Sequence, residues 1–270
     1  MGRGSLGRSQ GMPQAVAAQA ASVPAAAQPA SAPNSQVDAI RESLRNSGRM
    51  DLAAFNGLND ADMAQVLAEI DQYESRAELR ARHLADTDTQ RFFNQIGWTE
   101  DTPQVLSDAA YERERAAIGA QSLYHTDAPY PGISTQKMLD QFRTGTQYLS
   151  AGIHGDGTYL AEQAGDSWGY GYGHATARQQ KMFLNRNARI IDERKLWTKI
   201  HSWRRTHPNA DNQIRRLSAG RIDGQLSVYA AMFGYNVIKD GDYYSVLNRK
   251  ALTVAKSHKQ YSRTSNTSNW

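Results

Sequence analysis

Apolar residues recur at helical spacing through the first part of this chain and in short alternating runs through the rest. Ser35 opens a helix predicted over 36–45, with Val37, Ile40 and Leu44 on one face. Asn59 is a second helix cap, and Asp62 three residues on makes a capping-box variant with Asp in place of Glu. Met63, Val66, Leu67, Ile70 and Tyr73 then extend an amphipathic stripe to about residue 84, with Glu74, Glu78, Arg80 and Arg82 opposite. Phe92, Phe93 and Ile96 mark a helix over 87–96. Ser107 caps another, its entry clamped by a Leu106–Tyr111 hydrophobic staple. From residue 121 the pattern changes. Strands are predicted at 122–125, 158–161, 189–192, 236–239, 243–248 and 252–255, and helices at 134–142, 192–206 and 227–233. Short strands mixed with helices, without regular alternation, predict an α+β fold.

Composition divides the chain further. Residues 1–34 are Ala, Gln, Ser, Pro and Gly with no acid, and have nothing to bury, so a disordered leader is expected. Such a leader reads equally as a plain tail, a transit peptide or a type III secretion leader. Met1-Gly2 opens a myristoylation-like start, but Leu6 stands where Ser or Thr is wanted. Residues 35–86 form a helical extension that either docks a partner or packs on the main domain, which spans 87–270. The chain has no cysteine, which excludes disulfides, thiolate metal sites and cysteine nucleophiles. No apolar run approaches the ~18 residues of a membrane span. Residues 1–120 carry 11 arginines and no lysine against 16 acids; the remainder carries 20 basic and 11 acidic residues. The basic half suits an anionic ligand, and a plain solvated face accounts for the charge as well.

That half holds the densest glycine run, over 141–174. Gly152, Gly155 and Gly157 give G-x-x-G-x-G, followed by Thr158-Tyr159-Leu160-Ala161. The run lacks the Gly-Lys-Ser/Thr of a phosphate loop and the preceding apolar strand of a dinucleotide fingerprint. Leu123-Tyr124-His125 precedes it. Ala188-Arg189-Ile190-Ile191-Asp192, then Gly234-Tyr235-Asn236-Val237-Ile238, then Tyr243 through Leu247-Asn248-Arg249 follow. In this order the motifs resemble the ADP-ribosyltransferase superfamily, most of all the mono-ADP-ribosyltransferase-like proteins of bacteriophages and bacterial secreted effectors. Members read Leu-Tyr-Arg-Gly, Gly-x-Gly-x-Tyr-Phe-Ala, Gly-Tyr-Asp-x-Ile and a strand ending Leu-Asn-Arg. The resemblance covers roughly 103–255.

The resemblance implies an ADP-ribosyltransferase-like split antiparallel β-sandwich with flanking helices, preceded by the helical extension. It implies NAD as substrate, a host protein as target, and delivery into host cytoplasm by a phage or a secretion system. His125 would hold the nicotinamide-side ribose. Relatives carry Arg-Gly where this chain has His125-Thr126, and histidine belongs to the poly-ADP-ribosylating and diphtheria-toxin-like branch. Tyr159 would stack on nicotinamide, Gly155 and Gly157 would give backbone access, Thr126 would line the site, and Tyr170 with Tyr172 would form the opposite wall. Asp242 of Asp240-Gly241-Asp242 stands where Glu-x-Glu is expected, each acid one methylene shorter. The same Asp-Gly is a hairpin signal between Val237-Ile238 and Tyr243-Tyr244. Gln225 is a lesser candidate for positioning the acceptor.

Other chemistries are poorly framed. His201, His207 and Asp211 lack metal spacing, and no Gly-x-Ser-x-Gly elbow presents a nucleophile. Arg204-Arg205 and Arg215-Arg216, with Trp197 and Trp203, make a thin case for a nucleic-acid patch. The alternative to a transferase is a catalytically degenerate member of the same fold that binds a peptide or protein.

Overall fold

The computed structural model describes residues 35–70, 88–98, 101–127, 134–144, 150–152, 155–170, 177–217 and 222–260. The leader over 1–34, the continuation of the second stripe past residue 70, and Tyr172 lie outside these. The architecture is mixed α and β: a sheet flanked by helices. No helix among the described residues is long and apolar enough to cross a membrane.

Helices α1 (Ser35–Ser47), α2 (Leu52–Asn56), α3 (Asp60–Ala68) and α4 (Asp88–Gln95) come first. The Asn59 side chain caps α3 by accepting from the Asp62 N–H at 3.0 Å. The helix ends at Ala68, short of the predicted 84. Its C-cap is Glu69, whose N–H bonds back to Val66 and whose carboxylate takes the Arg41 guanidinium of α1 at 2.9 and 2.5 Å.

Strand β1 (Gln104–Leu106) and helix α5 (Asp108–Ala117) follow, with Ser107 capping α5. Then come β2 (Leu123–Asp127), α6 (Thr135–Arg143), β3 (Ser150–Gly152), β4 (Gly155–Ala161), α7 (Ala164–Tyr170) and β5 (Arg178–Leu184). The chain continues through β6 (Ile190–Asp192), α8 (Glu193–Arg204), α9 (Pro208–Leu217), α10 (Ile222–Met232), β7 (Val237–Asp240) and β8 (Tyr243–Val246). A short 3-10 turn (Arg249–Ala251) leads into β9 (Leu252–Gln260). The strands run in the order β1-β9-β5-β2-β4-β8-β7-β6, and β3 pairs with β4 beside this path. The two end pairings, β1–β9 and β6–β7, are parallel, and the interior ones antiparallel.

Register sorts side chains onto two faces. Leu123, Leu160, Met182, Tyr244, Val246 and Val254 cluster on one, under Phe142 of α6. A larger cluster joins Ile238 and Leu247 to α8–α10 and to the α1–α4 helices through Ile40, Phe55, Met63, Leu67, Phe92 and Phe93. The stripe on α3 therefore faces the same core as the C-terminal helices. Two polar links reinforce the join. Asn56 Nδ2 donates to the Met232 carbonyl at 2.6 Å. The Asp60 carboxylate accepts from the Asn209 and Ala210 N–H groups at 3.1 and 2.8 Å, capping α9 from a helix about 150 positions earlier.

A buried ionic knot ties α8, α9 and α10 together. Asp211 is 5 % exposed and accepts from Arg204 Nε at 2.8 Å, Arg215 Nε at 2.9 Å and the Tyr229 hydroxyl. Arg204 also donates to Gln225 at 2.8 Å. Gln225, a lesser acceptor-positioning candidate, is thus a member of this knot. Arg204 and Arg215 both spend guanidinium hydrogen bonds on Asp211, and the Arg204 guanidinium lies over the Trp197 and Tyr229 rings.

Replacing Asp60 by Ala removes a cap supplied from outside the helix it caps. Urea denaturation should show a loss of about 0.5–2 kcal/mol, the range of a lost N-cap. An unchanged midpoint would mean that water replaces the carboxylate at no cost.

Candidate functional site

Strands β2 and β4 meet at one registered pair, Tyr124 with Ala161. Beyond it the two strands part. A strand that leaves its neighbour must find other partners for the main-chain groups on that side. His125 supplies one: its Nδ1 stands 2.8 Å from the Tyr159 carbonyl oxygen. On the other side of the ring, Nε2 stands 3.1 Å from Asp127 Oδ1, and Asp127 Oδ2 accepts from Gln180 Nε2 at 3.2 Å. His125 pairs in register with Gln180 on β5, so these side chains share a face.

Both imidazole nitrogens therefore face acceptors. A neutral ring has one N–H and would turn a lone pair on one of these oxygens, so this geometry selects the doubly protonated ring. Burial pulls the His125 value down. The charge of Asp127, its hydrogen bond and the Tyr159 carbonyl outweigh burial and raise it above the ordinary histidine value. The ring also stacks on Phe142 at 5.9 Å and 20°.

Phe142 is held in turn by Arg249, from the Leu247-Asn248-Arg249 motif. Arg249 is 1 % exposed; its Nη1 donates to the Phe142 carbonyl at 3.3 Å and its guanidinium lies 5.8 Å from the Phe142 ring. Burial lowers its pKa to about 10, with Asp101 opposing, so it stays charged at neutral pH. Asp101 is itself bonded to Asn248 Nδ2 at 2.9 Å. The motif residue acts through α6: it fixes the helix that packs against His125.

The structure brings some candidates together and separates others. Thr126 is buried and its hydroxyl meets Ser167 of α7 at 2.7 Å. Tyr159 pairs with Ser245, while its neighbour Leu160 pairs with Tyr244 and is buried in the Phe142 cluster. Alternation therefore sends the Tyr159 and His125 side chains to opposite faces, and their link is through the Tyr159 main chain. Gly155 opens β4 opposite Gly152. Gly157 lies against β8: a Cβ there would come within 2.5 Å of Ser245 Oγ. Tyr170 ends α7.

Asp242 sits on the exposed β7–β8 turn beside Gly241, whose φ of 55° is the left-handed conformation a tight hairpin needs. Its carbonyl accepts from the Glu162 N–H at 2.9 Å. Its carboxylate is placed on that turn and not at the parting of β2 and β4. The acid that does meet His125 is Asp127, which the motif reading passed over. The strand alternation His125-Thr126-Asp127 was the available signal, since positions two apart share a face. Among the described residues no group of acids and histidines has the makings of a metal site.

Two expectations follow. Because the His125 value is raised on folding, the stability it contributes is full below the unfolded value, about 6.5, and is lost as pH rises through the folded one. Urea midpoints taken from pH 5 to 9 should fall across that window for the wild type, with Asp127→Asn flattening the slope; equal slopes would remove the Asp127 pairing as its cause. Gly157→Ala should cost about 1–3 kcal/mol through overpacking against Ser245, and Ser245→Ala in the same chain should return most of it.

Compared with known proteins, the chain matches no family model, no curated protein and no solved structure.

Proposed function

We propose that this chain is an NAD-dependent mono-ADP-ribosyltransferase whose fold is the split sandwich of that superfamily, acting on a protein side chain in the cytoplasm of a host cell. The observation that carries the reading is His125: it stands on β2 where β2 and β4 part, bonded to the main chain of Tyr159. Three of the resembling segments meet there. Leu123-Tyr124-His125 and the Gly157–Ala161 segment meet directly, and Asn248-Arg249 reaches them through Phe142.

In this reading NAD enters the parting of the two strands. Cleavage of the nicotinamide–ribose bond passes through an oxocarbenium-like state, so the site has to hold the ribose and stabilise positive charge. The His125 Nε2–H, which now points at Asp127, would donate to a ribose hydroxyl. Tyr159 lies on the other face of β4, so it would meet the nicotinamide only where that ring passes between the parted strands, beside Gly157, which carries no side chain there. Asp127 is the nearest placed carboxylate and would face the developing charge. Asp242 would serve the acceptor only by way of its turn.

Two observations favour the second reading, a non-catalytic member of the fold that binds a protein partner. Both nitrogens of His125 are engaged within the chain, and the Asp-x-Asp acid lies on an exposed turn.

The test is labelling of a bacterial and a eukaryotic lysate with radiolabelled NAD, alongside calorimetric titration of NAD into the purified chain. The transferase predicts a labelled band and NAD binding, with His125→Gln and Tyr159→Ala lowering transfer by about 10²-fold or more in chains that circular dichroism shows to be folded. NAD binding without transfer to either lysate means that neither lysate holds the target. A folded chain with no affinity for NAD overturns the proposal.

A further inference from the structure

Strand β5 carries a second polar feature on the His125 face. Arg178 pairs in register with Asp127, and Gln180 pairs with both His125 and, on the other side, His258 of β9. Arg143, the last residue of α6, reaches the same edge: its Nη2 donates to the Lys256 carbonyl at 2.9 Å. Three cationic or titratable side chains from three elements therefore gather at one rim of this face.

Part of their hydrogen-bonding capacity is unspent. Arg143 Nε and Arg178 Nε and Nη1 are shielded from solvent and have no partner. A shielded guanidinium N–H with no acceptor is unfavourable, and two such groups close together repel as well. The carboxylates at hand are committed elsewhere. Asp127, beside Arg178, bonds to His125 and Gln180. Asp140 of α6 accepts from Gln136 at 3.0 Å. The field of the cluster is felt by His258, whose value is held below the ordinary one by burial first and then by Arg143 and Arg178, with Asp140 opposing.

We propose that Arg143, Arg178 and His258 form an anion site that takes a phosphoryl group. Donors converge from a helix end and two strands, which suits the three oxygens of a tetrahedral phosphoryl group better than the two coplanar oxygens of a carboxylate. A guanidinium fork bonds such a group bidentately through charge-assisted hydrogen bonds. The site uses neither His125 nor Tyr159, so it stands whether or not the parting of β2 and β4 takes a dinucleotide. The phosphoryl group comes either from a nucleotide or from a simple phosphate ester, and the recognition chemistry is shared.

The experiment is calorimetric titration of the full chain at low salt with inorganic pyrophosphate, with ADP and with adenosine. Arg143→Gln, Arg178→Gln, the double variant and His258→Gln are run beside the wild type, with circular dichroism as the check on folding. Pyrophosphate is expected to bind, and each arginine variant to weaken it by about ten- to a hundredfold, as for a lost charge-assisted hydrogen bond. ADP binding tighter than pyrophosphate, with adenosine silent, assigns the group to a nucleotide; ADP no tighter than pyrophosphate assigns it to a simple phosphate. His258→Gln, on an edge of the cluster, should weaken binding even where an arginine variant fails to fold. A folded wild type that shows no saturable binding of pyrophosphate at millimolar concentration overturns the proposal. So does a folded double variant that binds it as the wild type does.

Discussion

The imidazole of His125 does the work of a missing stretch of sheet. Where β2 and β4 part, the main chain of β4 loses a neighbour, and an unpaired carbonyl at that depth is costly. The ring gives its Nδ1–H to Tyr159 and its Nε2–H to Asp127, so one side chain bridges two strands and holds a charge against a carboxylate. Everything that orients this ring is fixed from further away. Phe142 covers its face, α6 carries Phe142, and the buried guanidinium of Arg249 ties α6 back to the sheet. The chain from a Leu-Asn-Arg motif to a histidine more than a hundred positions earlier is thus a series of contacts, each weak alone and each dependent on the last.

The helical layer follows a different economy. Its apolar stripes merge into one cluster that spans α1–α4 and α8–α10, and the polar residues at the seam are used as fasteners. Asp60 caps a helix it does not belong to, and Asp211 gathers two arginines and a tyrosine. A buried ionic knot of this kind adds little net stability over apolar packing, but its loss in part leaves an uncompensated charge, which is far worse than its absence in full. It therefore fixes how α8, α9 and α10 sit on one another more than how stable they are.

What was legible in the sequence follows from this division. Helices with a clean apolar stripe, such as α1 with Val37, Ile40 and Leu44, announce themselves, because burial on one side is their reason to form. Strand β5 does not. Its Arg-Gln-Gln-Lys start breaks the alternation expected of a strand, yet Gln179 and Gln180 are both buried, their amides bonded to the Ala164 carbonyl and to Asp127. A central strand that buries amides with partners from distant segments has no local apolar signature. Helix α9 was silent for a related reason: its polar sequence is stabilised by a cap from Asp60 and by an ionic knot in which Asp211 and Arg215 are its own and Arg204 and Tyr229 lie on neighbouring helices. At the site, His125 was legible from its motif. Asp127 carried no motif, only the strand alternation that puts it on the same face two positions along. For the Asp-Gly of the β7–β8 connection both readings were visible from the start, and the positive φ of Gly241 puts it in a hairpin.

What Asp127 could contribute to the proposed chemistry is set by electrostatics. A carboxylate assists cleavage of a cationic nicotinamide leaving group only if its charge is free to act on the ribose. Here Asp127 stands 3.1 Å from His125 Nε2, and a doubly protonated ring would offset a carboxylate there, so the pair would present little net field to the opening between the strands. A ribose hydroxyl that accepted the Nε2–H would separate the pair and release the carboxylate in the same act. Binding and activation of the site would then be one event, with the cost of breaking a buried ion pair drawn from the affinity for the dinucleotide. For the proposed transfer, weak ground-state binding would therefore be the signature of this geometry.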